Sequence, residues 1–132
     1  MARKKDRGQL TPLELSLMQV LWERGPSTVH DVQAALAGRR DLAYTTVQTM
    51  LNLLHGKKKV RRKLRDRAYV YEPILSQDEA TRQAVDDVLE KMFDGSPESL
   101  VMNLLETRRL KPKDLQRLQR LVDSRKGDVE KQ

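Results

Sequence analysis

Apolar residues recur along most of this chain at intervals of three and four, the spacing of helices with one face turned inward. Leu17, Met18, Leu21 and Trp22 form the first stripe, Val29, Val32 and Leu36 the second, and Val47, Met50, Leu51 and Leu54 the third. The boundaries carry their own signals. Thr11-Pro12-Leu13-Glu14 is a capping box with proline at the first helical position, and Leu10 and Leu15 are spaced for a hydrophobic staple. Gly25-Pro26 ends that helix. The second helix starts at Ser27 or Thr28 and stops near Gly38, and the third starts at Ala43 or Tyr44.

The period then changes to two. Strands are predicted over about 60–64 and 68–72, with a tight turn near Arg65-Asp66-Arg67 and Pro73 as the stop. Val60 and Leu64 fall on one strand face, Tyr69 and Tyr71 on one face of the other, and these four are expected to pack inward. Ser76-Gln77-Asp78-Glu79 is a second capping box and opens a long helix striped by Ala80, Ala84, Val85, Val88, Leu89 and Met92. After Gly95, Ser96-Pro97 starts a helix with Leu100, Val101, Leu104 and Leu105 inward. Pro112 starts a last one with Leu115, Leu118, Leu121 and Val122, expected to fray from about Lys126. The order predicts a mainly α chain with one small β-hairpin. A winged helix-turn-helix domain with a basic arm occupies residues 1–76, and a helical module occupies 77–132.

Charge sharpens this division. Of the eleven residues 57–67, eight are Lys or Arg and one is acidic. Residues 1–76 hold 15 Lys/Arg against 7 Asp/Glu, a net +8, whereas 77–132 hold 11 against 12. A basic half beside a near-neutral half suggests a nucleic-acid-binding part and a part with another task. That second part is too short to build an independent core easily, yet its helices are strongly amphipathic. Either these helices fold back on the first part or, as the favoured reading, Val85, Val88, Leu89, Met92, Leu100, Val101, Leu104, Leu105, Leu115, Leu118, Leu121 and Val122 bury against a second copy, giving a homodimer.

The third helix carries the candidate chemistry. Opposite its apolar stripe lie Thr45, Gln48, Thr49 and Asn52 at i, i+3, i+4 and i+7. Gln and Asn can pair bidentately with adenine, and a threonine methyl can meet the methyl of thymine, so these four are the candidate base readers. Tyr44 and Thr46 at the helix start, and Lys57, Lys58, Lys59, Arg61, Arg62, Lys63, Arg65 and Arg67 beyond it, are candidate phosphate contacts. The bland alternative, an ordinary solvated helix face, loses ground because the cationic hairpin comes next.

Other classes have little support. His30 and His55 sit on different helices, and His30 beside Asp31 makes no dyad, because helical neighbours point about 100° apart. No phosphate loop, nucleophile motif or metal-ligand spacing occurs, so no catalytic residue, metal or cofactor is expected and the chain is not read as an enzyme. A small nuclease would need converging acids, and the basic half has only Asp6, Glu14, Glu23, Asp31, Asp41, Asp66 and Glu72, widely spaced. The absence of cysteine excludes disulfides and fits a reducing cytoplasm. No apolar run approaches the roughly 18–20 residues needed to cross a bilayer, so no membrane insertion is expected. The remaining alternative is a sequence-neutral architectural or RNA-associated protein.

With this element order, Leu10-Thr11-Pro12-Leu13-Glu14, Val20-Leu21-Trp22, Ala43-Tyr44-Thr45-Thr46-Val47 and Arg67-Ala68-Tyr69-Val70-Tyr71 together resemble the penicillinase-repressor family of bacterial transcriptional regulators, the BlaI/MecI/CopY group. The resemblance spans about residues 8–122. It implies a winged-helix domain, a carboxy-terminal dimerisation domain, and a homodimer repressing transcription from a double-stranded operator of dyad symmetry. It also implies, for some members, a membrane metalloprotease sensor and induced cleavage of an Asn-Phe bond in the dimerisation module. The matching pair here is Asn103-Leu104, with leucine replacing phenylalanine. Gln48 and Leu53 stand where the family often has arginine, and Lys57-Lys58-Lys59 adds charge after the helix. The cysteine motif of the copper-responsive branch is absent.

Overall fold

The computed structural model describes residues 9–130; the basic arm expected over residues 1–7 lies outside the described residues. In chain order the elements are α1 (Pro12–Arg24), α2 (Val29–Leu36), α3 (Tyr44–Gly56), β1 (Val60–Arg65), β2 (Ala68–Pro73), α4 (Gln77–Met92), α5 (Pro97–Glu106) and α6 (Pro112–Glu130). The chain forms two compact units that divide between Val85 and Asp86, inside α4 rather than at its start.

In the first unit, local signals set the helix ends. Thr11 Oγ1 accepts from the Glu14 amide at 3.1 Å and Glu14 Oε1 accepts from the Thr11 amide at 2.9 Å. Thr28 and Asp31 form the same reciprocal cap on α2. Gly25 ends α1 with φ +83°, a value other residues adopt only with strain. Leu17, Met18, Val20 and Leu21 from α1, Val29, Val32 and Leu36 from α2, and Val47, Leu51 and Leu54 from α3 form one core with Val60, Tyr71 and Leu75. Trp22 is half-buried at its edge, and its indole Nε1 donates to the Leu75 carbonyl at 2.9 Å.

The two strands pair antiparallel, with Arg62 opposite Tyr71 and Leu64 opposite Tyr69. Asp66 and Arg67, both at positive φ (48° and 68°), make the two-residue turn. A backbone bridge between Ser27 and Tyr71 fixes the base of β2 to the start of α2. Only the base of the hairpin covers the core. Val60 and Tyr71 are 1% exposed, but Leu64 is 67% and Tyr69 43% exposed. The expected inward packing of Leu64 and Tyr69 is therefore corrected: the strand faces alternate as read, but the outer half of the hairpin extends past the helices.

In the second unit, Ser96 caps α5 through the Ser99 amide, and Asp114 caps α6 through the Lys111 amide. α6 is helical through Glu130, past the Lys126 from which fraying is expected. Lys126 pairs with Asp123 one turn before it at 3.7 Å. None of the described side chains from 86 onward is fully buried. Among the described residues, no helix is long and apolar enough to cross a membrane.

Candidate nucleic-acid interface

Three buried side chains, Val47, Leu51 and Leu54, fix the rotation of α3 and turn its other face outward. On that face Thr45, Gln48, Thr49 and Asn52 are all exposed, as are Tyr44 and Thr46 in the first turn. The start of α3 is held from α2, where Gln33 Nε2 donates to the Leu42 carbonyl at 3.0 Å. Its far end leads into the hairpin, with the Lys59 amide donating to the Leu54 carbonyl at 2.9 Å. The wing thus follows the polar face of α3 at a fixed distance along the chain.

Leu53, exposed and apolar one residue beyond Asn52, also belongs to this surface. Its departure from the arginine of the resemblance was the signal available in the sequence. An apolar group there can meet thymine methyls but cannot attract phosphate.

The cations divide by environment. Lys58, Lys63, Arg65 and Arg67 are exposed. Arg61 is exposed and lies 3.8 Å from Glu72 across the strands. Lys59 and Arg62 are half-buried. Lys57 Nζ lies 2.7 Å from Glu14 Oε2, and the Glu14 side chain is 2% exposed. Burial by itself would raise the Glu14 pKa; the hydrogen bonds from Lys57 and the Thr11 amide outweigh it and hold the carboxyl below its ordinary value. This pair joins the start of α1 to the end of α3 and was invisible in the sequence, where the partners are far apart.

Asn52 is engaged rather than free. Its Oδ1 accepts from the Tyr71 hydroxyl at 2.8 Å and from Arg62 Nη1 at 2.9 Å. The Arg62 guanidinium lies over the Tyr69 ring, 4.2 Å from its centroid, and the Tyr69 and Tyr71 rings meet edge to face at 6.3 Å. The structure therefore brings Thr45, Gln48 and Thr49 together as free polar groups, and places Asn52 in a network with the wing.

The histidines take no part in a cluster: among the described residues no group of three or more His, Asp or Glu could hold a metal. Asp31, beside His30, has its pKa lowered mainly by the Thr28 amide that it caps.

The arrangement is an uncharged groove-sized helix face flanked by a basic hairpin, as a duplex reader requires. The family model described as Penicillinase repressor matches residues 10–124. A protein of Mycobacterium tuberculosis (strain ATCC 25618 / H37Rv) named "Transcriptional regulator BlaI" is 40% identical over 100 residues, covering 74% of this chain and 72% of that protein. The "Penicillinase repressor" of Bacillus licheniformis is 25% identical over 119 residues, covering 90% and 93%. Among solved structures, the DNA binding domain of the repressor BlaI matches with a TM-score of 0.50 at 26% identity, over 55% of this chain and 88% of that one. The chain belongs to the penicillinase repressor family and is a winged-helix, DNA-binding transcriptional repressor.

Proposed function

We propose that this repressor acts as a homodimer on an operator of dyad symmetry, each first unit occupying one half-site. The observation that carries this reading is the exposed uncharged face of α3, seated on a buried stripe and followed by a cationic wing. In the major groove, Thr45, Gln48 and Thr49 choose the sequence. Tyr44, Thr46, the exposed cations Lys58, Arg61, Lys63, Arg65 and Arg67, and the half-buried Lys59 supply most of the affinity through phosphates. Half-site centres should lie about one or two helical turns apart, so that both units face one side of the duplex.

Helices from Gln77 onward tie the two chains together, α4 contributing Ala80 to the first unit's core as well. Exposed Val88, Met92, Val101, Leu115, Leu118, Leu121 and Val122 in a module with no fully buried described side chain support this, because such a stripe is stable only when covered. Membership of a repressor family disfavours the sequence-neutral alternative. Competition between a duplex enriched from a random pool and its scrambled version tests the reading: a repressor prefers the enriched duplex by about a thousandfold or more. Equal binding would overturn it.

Release by cleavage at Asn103–Leu104 is the induction route that the resemblance suggests, through a membrane metalloprotease sensor. Both residues lie inside α5, where the Asn103 carbonyl accepts from the Thr107 amide at 2.9 Å. A protease binds extended chain, so cutting requires α5 to open, and a helix without a buried anchor opens at low cost. Mass spectrometry of the repressor from induced cells should find fragments ending at Asn103; intact chain throughout induction would remove this part.

A further inference from the structure

We infer that Asn52 is a positioning residue that latches the wing to α3, and that base reading on this helix is carried by Thr45, Gln48 and Thr49 without it. The inference rests on the proposed reading of α3 as the helix that enters the groove.

An asparagine reads adenine by accepting from N6 through Oδ1 while donating to N7 through Nδ2. A carbonyl oxygen has two lone pairs, and here Tyr71 Oη and Arg62 Nη1 occupy both, at 2.8 and 2.9 Å. The amide cannot simply be turned round. Arg62 is a donor only, so the atom facing it must be the oxygen. Reading adenine would therefore displace at least one of these two hydrogen bonds, to the buried Tyr71 hydroxyl or, charge-assisted, to a half-buried arginine.

The partners say what the network does instead. Tyr71 is 1% exposed, so its hydroxyl serves the protein rather than a docked duplex. Its backbone is already fixed to Ser27, and its side chain carries that anchorage to α3. Arg62 and Tyr69 then extend the link outward along the hairpin, by the guanidinium over the ring and the edge-to-face contact. Beyond them the hairpin has no cover, as Leu64 at 67% exposure shows. The latch thus sets the angle at which Lys63, Arg65 and Arg67 are presented relative to the helix in the groove. Alignment of this kind is lost for every sequence alike, whereas a lost base contact is felt at one base pair.

The test uses the full chain, a duplex enriched by the wild type from a random pool, and a scrambled duplex. Hydrogen exchange of the wing amides is measured without DNA. Asn52→Ala and Tyr71→Phe should each raise wing exchange, whereas Asn52→Asp, which keeps an acceptor for both donors, should leave it near wild type. Asn52→Ala and Tyr71→Phe should each weaken both duplexes by a similar factor, about tenfold, and the double variant should be no worse than either single one. Repeating the pool selection with Asn52→Ala should return the same preferred bases at every position. Unchanged wing exchange in Asn52→Ala, strictly multiplicative losses, or a changed preference at a single position would each overturn the latch. Failure of the wild type to enrich any duplex would instead strike the base-reading proposal on which the latch rests.

Discussion

Glu14 and Lys57 are the residues whose chemistry most exceeds their local sequence. Glu14 is fully buried and serves two partners: its amide-facing oxygen caps α1 and the other holds Lys57. Its pKa is depressed in the fold, so its stabilisation is present above the unfolded carboxylate value and is lost as pH falls through the folded one. Lys57→Ala should leave a buried, half-satisfied carboxylate. It should lower stability at neutral pH by about 2 kcal/mol, between exposed and buried pairs, and move acid unfolding to higher pH. Chemical denaturation across pH checks both; an unchanged acid midpoint would contradict the pair. The cap was legible in Thr-x-x-Glu because its partners are three residues apart, while the Lys57 contact depends on packing α1 against α3. A second residue-scale prediction concerns the turn. Arg67 has φ +68°, where a side chain is strained. Arg67→Gly should raise stability by about 1 kcal/mol in thermal melts while weakening DNA binding through the lost charge.

At the scale of elements, the proposed reading assigns sequence choice to α3 and affinity to the wing. Gln48→Ala and Thr49→Ala should each reduce the preference for the enriched duplex over the scrambled one by about 1–3 kcal/mol in competition assays. A wild-type preference ratio in both would place base reading elsewhere. Neutralising Lys58 and Lys59 should flatten the slope of log affinity against log salt by up to about two units, measured by titration in graded salt. Lys57 should add little to this slope, because its charge is spent on Glu14. The helices could be read closely because caps and stripes are local signals, and α3 begins and exposes its polar face where the pattern put them. The hairpin could be read as strands but not as a surface. Whether Leu64 and Tyr69 are covered depends on how far the wing reaches past the helices, and alternation within a strand contains no such length. Asn52 shows the same limit: its face was legible, but Tyr71 and Arg62 arrive there only through the fold.

At the scale of the whole molecule, two compact units meet within α4, one with a closed core and one without a fully buried described side chain. The sequence placed the change of role at the Ser76 cap, because a capping box announces a new helix. It could not show that the first turns of that helix, through Ala80, belong to the core before them. Leu118→Asp with Leu121→Asp should put charges on the exposed stripe of α6, turn the proposed dimer into monomers in sedimentation, and weaken binding to a two-half-site duplex far more than to a single half-site. The recognition surface itself is tested most directly by amide resonance mapping of the full chain as the enriched duplex is added. The largest shifts should fall within residues 44–53 and 58–69, with small changes elsewhere in the first unit. Shifts concentrated on α1 or α2, with α3 and the wing unmoved, would contradict the proposed surface.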